Sequence, residues 1–320
     1  MASNGEMAAF MARRHESDAA VDFSPQAIAS LESHPAFMGI VRQLAGTAVE
    51  GYRSRWMLNR LLNDRGRFIA SLMILDLYFS SPDRSGFTAA ALRREAVGGG
   101  LCSGGRITTF LASMQLAGFL EIGTAEDRRF RRLIPTEALV APHRARWAVA
   151  FGLLAKISPE ARGAAEALAD PAFLAHCVHV IMAVYRSGER MFARTPELQP
   201  IGERDAGLTM LMSLLAEHGE QGVSVSAFAR CFLVSRSHAR ETLRIAETLG
   251  LAEARDVRGH FGPGPRLAPV LGRFYCLIFL IYIHAFKLAA GRGWPVGIFP
   301  ALQPSAMAAP ASEQVTLPIA

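Results

Sequence analysis

Two stretches of this 320-residue chain, SGGRITTFLASMQLAGFLE over Ser103–Glu121 and SRSHARETLRIAETLGLAE over Ser235–Glu253, follow one plan. Set against each other 132 positions apart, they coincide at Ser103/Ser235, Leu111/Leu243, Gly118/Gly250 and Glu121/Glu253. Each begins with a serine, whose hydroxyl can accept a bond from a free backbone N–H and so start a helix. Inward-type residues then recur at helical spacing. They are Ile107, Phe110, Leu111, Met114 and Ala117 in the first copy, and Ala239, Thr242, Leu243, Ala246 and Leu249 in the second. Each run closes on a glycine, the residue that best tolerates the left-handed conformation ending a helix. A short apolar step and an arginine-rich segment follow.

That order predicts a recognition helix, a strand and a basic wing, the parts of a winged helix-turn-helix. Weaker matches extend the repeat. His34-Pro35-Ala36-Phe37 returns as Asp170-Pro171-Ala172-Phe173, and Gly86-Phe87-Thr88 as Gly222-Val223-Ser224, both 136 positions on. About four extra residues around Gly98-Gly99-Gly100 account for the change of offset. Agreement over separate anchors indicates an internal duplication. The expected fold is therefore mainly α with small β-wings: two tandem winged helix-turn-helix domains with flanking interface helices. The leading helix of the first copy is expected from near His34 to Tyr52. Apolar helices are expected at Phe68–Ser80 and Leu208–His218, and trailing helices at Pro142–Ile157 and Pro269–Ala290. The domain reading is a disordered tail over 1–24, a first repeat over 25–157, a linker over 158–169, a second repeat over 170–290 and a disordered tail over 291–320.

Composition fits a folded globular protein, with 51% apolar and 19% charged residues. The net charge of +6 suits an anionic partner, and apart from Lys156 and Lys287 the basic residues are arginines. Cys102, Cys177, Cys231 and Cys276 form no C-x-x-C pair or disulfide framework, which predicts a reducing cytoplasm. Glu6, Arg13, Arg14 and His15 stand around a very short N-terminal apolar patch, unlike a secretory signal. The most apolar stretch, Phe274–Phe286, is shorter than the roughly 18 residues a membrane span needs. It reads as a buried or interface helix, with no membrane partner expected.

The first wing, Ile122 to Glu137, places Arg128, Arg129, Arg131 and Arg132 within five positions at a hairpin tip. There guanidinium groups can reach phosphates or enter a minor groove; a solvated charged hairpin is the bland alternative. At this point the chain resembles the MarR-type winged-helix regulators, whose wing has the form D-x-R…R…L…L-T-x-x-G. Asp127, Arg129, Leu133, Thr136 and Glu137 fit that pattern, while Leu139 or Val140 stands where the family has glycine. The second wing, Arg255 to Arg266 with Arg258, keeps the basic character and loses the threonine-glutamate ending. The resemblance covers roughly residues 35–155 well and 171–290 loosely. It implies a DNA-binding regulator, usually dimeric, with the flanking helices forming the interface.

Helical phase predicts the faces presented to DNA: Arg106, Thr108, Thr109, Ala112 and Ser113 in the first copy, and Arg236, Ser237, His238, Arg240, Glu241 and Arg244 in the second. Arginine can donate two bonds to guanine, and glutamate can accept from cytosine. The two sets differ, so either the halves read different sequences or one has lost readout. Tyr52, Trp56, Trp147 and Phe151 lie on the flanking helices, where they either line a ligand cleft, as in MarR-like sensors, or fill the core.

Other motifs carry less. GGGLCSGG over Gly98–Gly105 lacks the lysine-serine/threonine ending of a phosphate loop and reads as a turn. His176-x-x-His179 has no second ligand pair, so no metal or cofactor is expected. Cys102 and Cys231 flank the recognition helices without an evident activating partner. Neither G-x-S-x-G, H-E-x-x-H nor paired carboxylates occur, so an enzyme is not expected. The expected function is a sequence-specific transcriptional regulator on double-stranded DNA, with a small-molecule effector as an added possibility. A protein-interaction module is the rival. With two heads in one chain, the expected assembly is an internal pseudo-dimer, or a homodimer of such units.

Overall fold

The computed structural model describes residues 20–54, 56–123, 131–217 and 222–297. Helices dominate, with two small antiparallel sheets. In chain order the first half runs α1 (Pro25–Glu32), α2 (Phe37–Ser54), α3 (Trp56–Leu61), α4 (Arg65–Phe79), β1 (Phe87–Thr88), α5 (Ala89–Gly98), α6 (Gly104–Leu116), β2 (Leu120–Ile122), β3 (Arg132–Pro135) and α7 (Glu137–Leu154). The second half runs α8 (Pro171–Arg186), α9 (Gly207–Ala216), β4 (Val223–Ser224), α10 (Val225–Cys231), α11 (Arg236–Thr248), β5 (Ala252–Ala254), β6 (His260–Pro263) and α12 (Leu267–Gly291). Single helical turns such as Ala164–Ala167 and Met191–Arg194 fill the connections.

The sheets share one topology, β1-β3-β2 and β4-β6-β5. Their registers agree as well, with Phe87 opposite Leu133 and Val223 opposite Phe261. The helices before each hairpin also share their caps. Ser103 accepts from the N–H of Arg106 at 3.4 Å, and Ser235 from that of His238 at 3.1 Å. At the far ends Gly118 and Gly250 adopt φ of 76° and 70°. Phe119 donates to Met114 and Gly118 to Gln115, while Leu251 donates to Ala246 and Gly250 to Glu247. These paired bonds satisfy the last carbonyls of each helix and turn the chain into the strand.

The halves are locked by exchange. Helix α2 packs chiefly on α9 of the other half, and α8 packs on α4. At the C-terminal ends of α2 and α8 the same tripeptide occurs, Tyr52-Arg53-Ser54 and Tyr185-Arg186-Ser187. Both arginines cross over. Arg53 grips Glu217 at 2.7 and 2.8 Å and donates to Cys231 Sγ at 3.1 Å. Arg186 bonds Asp76 at 2.5 Å and Glu95 at 2.6 Å. Asp76 is 1% exposed and also meets His179 Nδ1 at 3.2 Å. Burial alone would push its carboxyl up, but the His179 bond and the Arg186 charge outweigh this and hold it below its ordinary value.

Helix α12 runs through the centre. Phe279 meets Phe37 of α2 edge-on at 6.3 Å, and Phe286 meets Phe151 of α7 at 4.8 Å and Phe173 of α8 at 6.4 Å. Fully burying such a ring contributes roughly 1.5–3 kcal/mol, so this helix welds both halves. Its 25 residues make it long and apolar enough to cross a membrane by length and composition, and 56% of its most apolar window is buried inside the protein. The shortness expected from Phe274–Phe286 therefore does not hold; the burial does.

Several boundaries differ from expectation. Both trailing helices begin before the prolines expected to start them. In α12, Pro269 is the third residue, where no intrahelical N–H is required. In α7, Thr136 precedes the first turn and Pro142 sits inside the helix, at the loss of one backbone bond. Burial of Leu139 and Val140 rewards that longer helix. Helix α1 was not anticipated, although Ser24 caps it and Pro25 opens it. Residues assigned to tails also pack. Val21 and Phe23 lie against the core, Trp294 Nε1 donates to Asp170 at 2.9 Å, and Val296 is buried. The 158–169 segment likewise buries Ala161, Ala164 and Leu168.

Candidate nucleic-acid interface

The expected inward and outward faces of α6 and α11 are the observed ones. Ile107, Phe110, Leu111 and Met114 are buried, as are Ala239, Thr242, Leu243 and Ala246. Thr108, Thr109 and Ala112 are exposed and Ser113 is half-buried. On α11, Arg236, Ser237, Arg240, Glu241 and Arg244 are exposed.

Two members of the outward sets are drawn back against the body. Arg106 Nη2 bonds Asp64 at 2.9 Å, and Asp64, 2% exposed, caps α4. At the equivalent position of α11, His238 Nε2 lies 2.9 Å from the Asp205 carbonyl, just before α9. These two residues fix each helix to the segment leading into its supporting helix. A second brace on α11 comes from Arg204, whose Nε donates to the buried Thr242 Oγ1 at 2.8 Å.

The remaining polar groups differ in kind. Thr108, Thr109 and Ser113 donate their hydroxyl hydrogens to carbonyls one turn back, at 3.0, 3.2 and 3.0 Å. Arg236, Arg240 and Arg244 stand at i, i+4 and i+8 on one face and pair with no carboxylate among the described residues. Neighbouring like charges at that spacing destabilise a free helix by about 0.2–0.5 kcal/mol per pair. An anionic partner reverses that sign.

Of the first wing, Arg128 and Arg129 lie outside the described residues. Arg131 is exposed. Arg132, expected at the tip, lies on β3 and donates to the Gly86 carbonyl at 3.0 Å, bracing the turn into β1. In the second wing Arg258 is exposed at the turn between β5 and β6. Arg255 is folded back onto Glu253 at 2.6 Å and the Pro263 carbonyl.

The aromatic residues of the flanking helices divide. Tyr52 and Trp147 border a cavity of about 810 Å³ between the halves, with Phe68, Met212, Phe279 and Tyr282. Phe151 is fully buried in the core instead, and the Trp56 side chain lies outside the described residues. Arg146 and Arg190, which also border the cavity, lie over the rings of Phe68 and Tyr185 at 4.5 and 3.8 Å. His143, 2% exposed, accepts from Arg146 at Nδ1 (2.7 Å). Its ring proton therefore sits on Nε2, facing Ser71 Oγ at 3.2 Å, and Ser71 donates to the Phe68 carbonyl. Burial, reinforced by the Arg146 charge, holds this imidazole well below its usual value.

The other candidates have ordinary roles here. His176 faces the Ala285 carbonyl and Arg292, whereas His179 faces Asp76. No group of three or more potential ligands gathers among the described residues. Burial raises the Cys102 thiol despite the nearby Arg106 charge. Gly98–Gly105 forms the turn between α5 and α6, with Gly100 at φ 66°. Comparison brings no relative to bear: no family model matches this chain, and neither does any curated protein or solved structure.

Proposed function

We propose that this chain binds double-stranded DNA as a tandem pair of winged helix-turn-helix units and acts as a transcriptional regulator. The observation that carries the reading is the face of α11, where three arginines, without a carboxylate partner among the described residues, line one side of a helix that precedes a β-hairpin. In this reading α11 enters the major groove, where arginine bonds guanine O6 and N7. Arg258 and the arginines of the first wing lie on phosphates. The reciprocal packing of α2 on α9 and α8 on α4 supports an internal pseudo-dimer, the arrangement in which one chain suffices for binding. Against the docking-module alternative stands the charge of the α11 face, where Arg236, Arg240 and Arg244 outnumber Glu241 and Glu247 and no apolar surface is presented among the described residues. The test is anisotropy of a labelled duplex titrated with the full chain at several salt concentrations. Affinity falling steeply with salt is expected, since each phosphate contact contributes about 0.9 to the log–log slope; no binding at low salt overturns the proposal.

A second reading rests on the cavity between the halves. At about 810 Å³ with largely apolar walls, it falls within the size range of small-molecule sites. A ligand there touches both halves and biases their relative position, which makes regulation by an effector the natural extension.

A further inference from the structure

The two units share strand order, caps and helix closure, yet their outward faces differ position by position. With Ser103 set on Ser235, Gly104 stands where α11 has Arg236, Thr108 where it has Arg240, and Ala112 where it has Arg244. All three charges of the α11 stripe are thus missing from α6. The one arginine of α6, Arg106, is held at 2.9 Å by the Asp64 carboxylate. Asp64 is shared with Arg67 Nε at 3.1 Å, so the pairing holds Arg106 against the body of the unit. The α6 hydroxyls are committed too: Thr108, Thr109 and Ser113 donate within their own helix, and Arg93 Nη2 lies 3.4 Å from Thr108 Oγ1. The C-terminal end of α6 presents Leu116, 92% exposed, an apolar side chain with nothing to offer a phosphate or a base edge other than a thymine methyl.

Resting on the DNA-binding reading above, we propose that only the second unit reads sequence, and that its half-site contains two guanines about two base steps apart. Arg236 and Arg240 lie in the first half of α11, the part of a recognition helix that meets base edges. Four residues of helix advance about 6 Å, close to two base-pair steps of roughly 3.4 Å each. Arg244, a turn further on, moves out toward the backbone. The first unit then serves as a clamp indifferent to sequence, contributing the exposed Arg131 to phosphate contacts. The chain's target is accordingly a single asymmetric block rather than an inverted repeat.

Selection of duplexes from a random library with the full chain tests this, read alongside the anisotropy titration. The expected result is one motif with two guanines separated by one base pair and no inverted copy. Arg240→Ala should weaken binding to the selected duplex about 5- to 150-fold, as a bidentate base contact requires, and erase one guanine from a repeated selection. Arg240→Lys, which keeps the charge but not the fork, should restore affinity for random duplex. Paired Thr108→Ala and Thr109→Ala substitutions should leave the motif unchanged. An inverted repeat, a motif altered by the α6 substitutions, or salt-dependent binding with no enriched motif each overturns the one-headed reading while leaving DNA binding intact. Absence of any duplex binding instead overturns the function on which it rests. All these positions are exposed, and an unchanged circular dichroism spectrum confirms that each variant is folded.

Discussion

Arg186→Met removes the charge facing the buried Asp76 carboxylate while keeping much of the side chain's length. Asp76 is 1% exposed and Arg186 31%. Breaking a buried pair by deleting one partner costs about 3–5 kcal/mol. Here His179 still bonds the carboxylate at 3.2 Å, and water reaches one side of the arginine, so the loss should fall near about 2–3 kcal/mol. The corresponding change in the other half, Arg53→Met, breaks a pair whose side chains are 36% and 28% exposed. It should cost no more than about 1 kcal/mol. Urea unfolding of the full chain at pH 7 measures both. The acid limb separates the effect of charge from that of packing. In the native protein the Asp76 carboxyl titrates below its ordinary value, so its contribution is full above the unfolded value of about 3.9 and fades as pH falls through the folded one. Without Arg186, burial is opposed by His179 alone and the folded value rises from its native position. Protonation at low pH then removes an uncompensated charge, so the deficit of Arg186→Met should shrink between neutral pH and about pH 4. A deficit below about 1 kcal/mol, a deficit constant over that range, or an additive cycle with Asp76→Asn would refute the reasoning.

Three more expectations follow from particular side chains. Replacing Arg128, Arg129 and Arg131 by alanine should flatten the salt dependence of duplex binding by up to about 0.9 for each phosphate left without its arginine, whereas Arg132→Ala, which frees the Gly86 carbonyl, should lower the unfolding midpoint and leave the slope nearly unchanged. Gly118→Ala and Gly250→Ala force a left-handed conformation at φ of 76° and 70° and should each destabilise by about 1–2 kcal/mol in chemical denaturation. Because His143 is held neutral by burial and Arg146, its stabilisation is full above the unfolded value near 6.5 and is lost as pH falls below it. His143→Gln should therefore remove up to one proton, about 1.4 kcal/mol per pH unit, from the acid-side stability slope.

The sequence by itself determined the local architecture of both units. Serine at 103 and 235, glycine at 118 and 250, and apolar residues at helical spacing between them are short-range instructions, and each was realised where it stood. The alternation of buried and exposed positions on α6 and α11 was legible for the same reason, since helical phase fixes which side chains share a face. Phase says nothing about what that face meets. Arg106 and His238 read as outward donors, and only the approach of Asp64 and the Asp205 carbonyl turned them into braces. The repeated Tyr-Arg-Ser was visible in the sequence at 52–54 and 185–187, yet its use was not. Arg186 finds Asp76 110 positions away, and Arg53 finds Glu217 164 positions away. Such pairings are chosen by the crossing of α2 onto α9 and α8 onto α4, not by any local preference. Tertiary burial also decided the ends: Val21 and Phe23 sit in a segment that reads as a tail because it carries no sustained period, and Val296 in one where proline, alanine and polar residues prevail. A few apolar side chains there found a surface already assembled by residues remote in the chain.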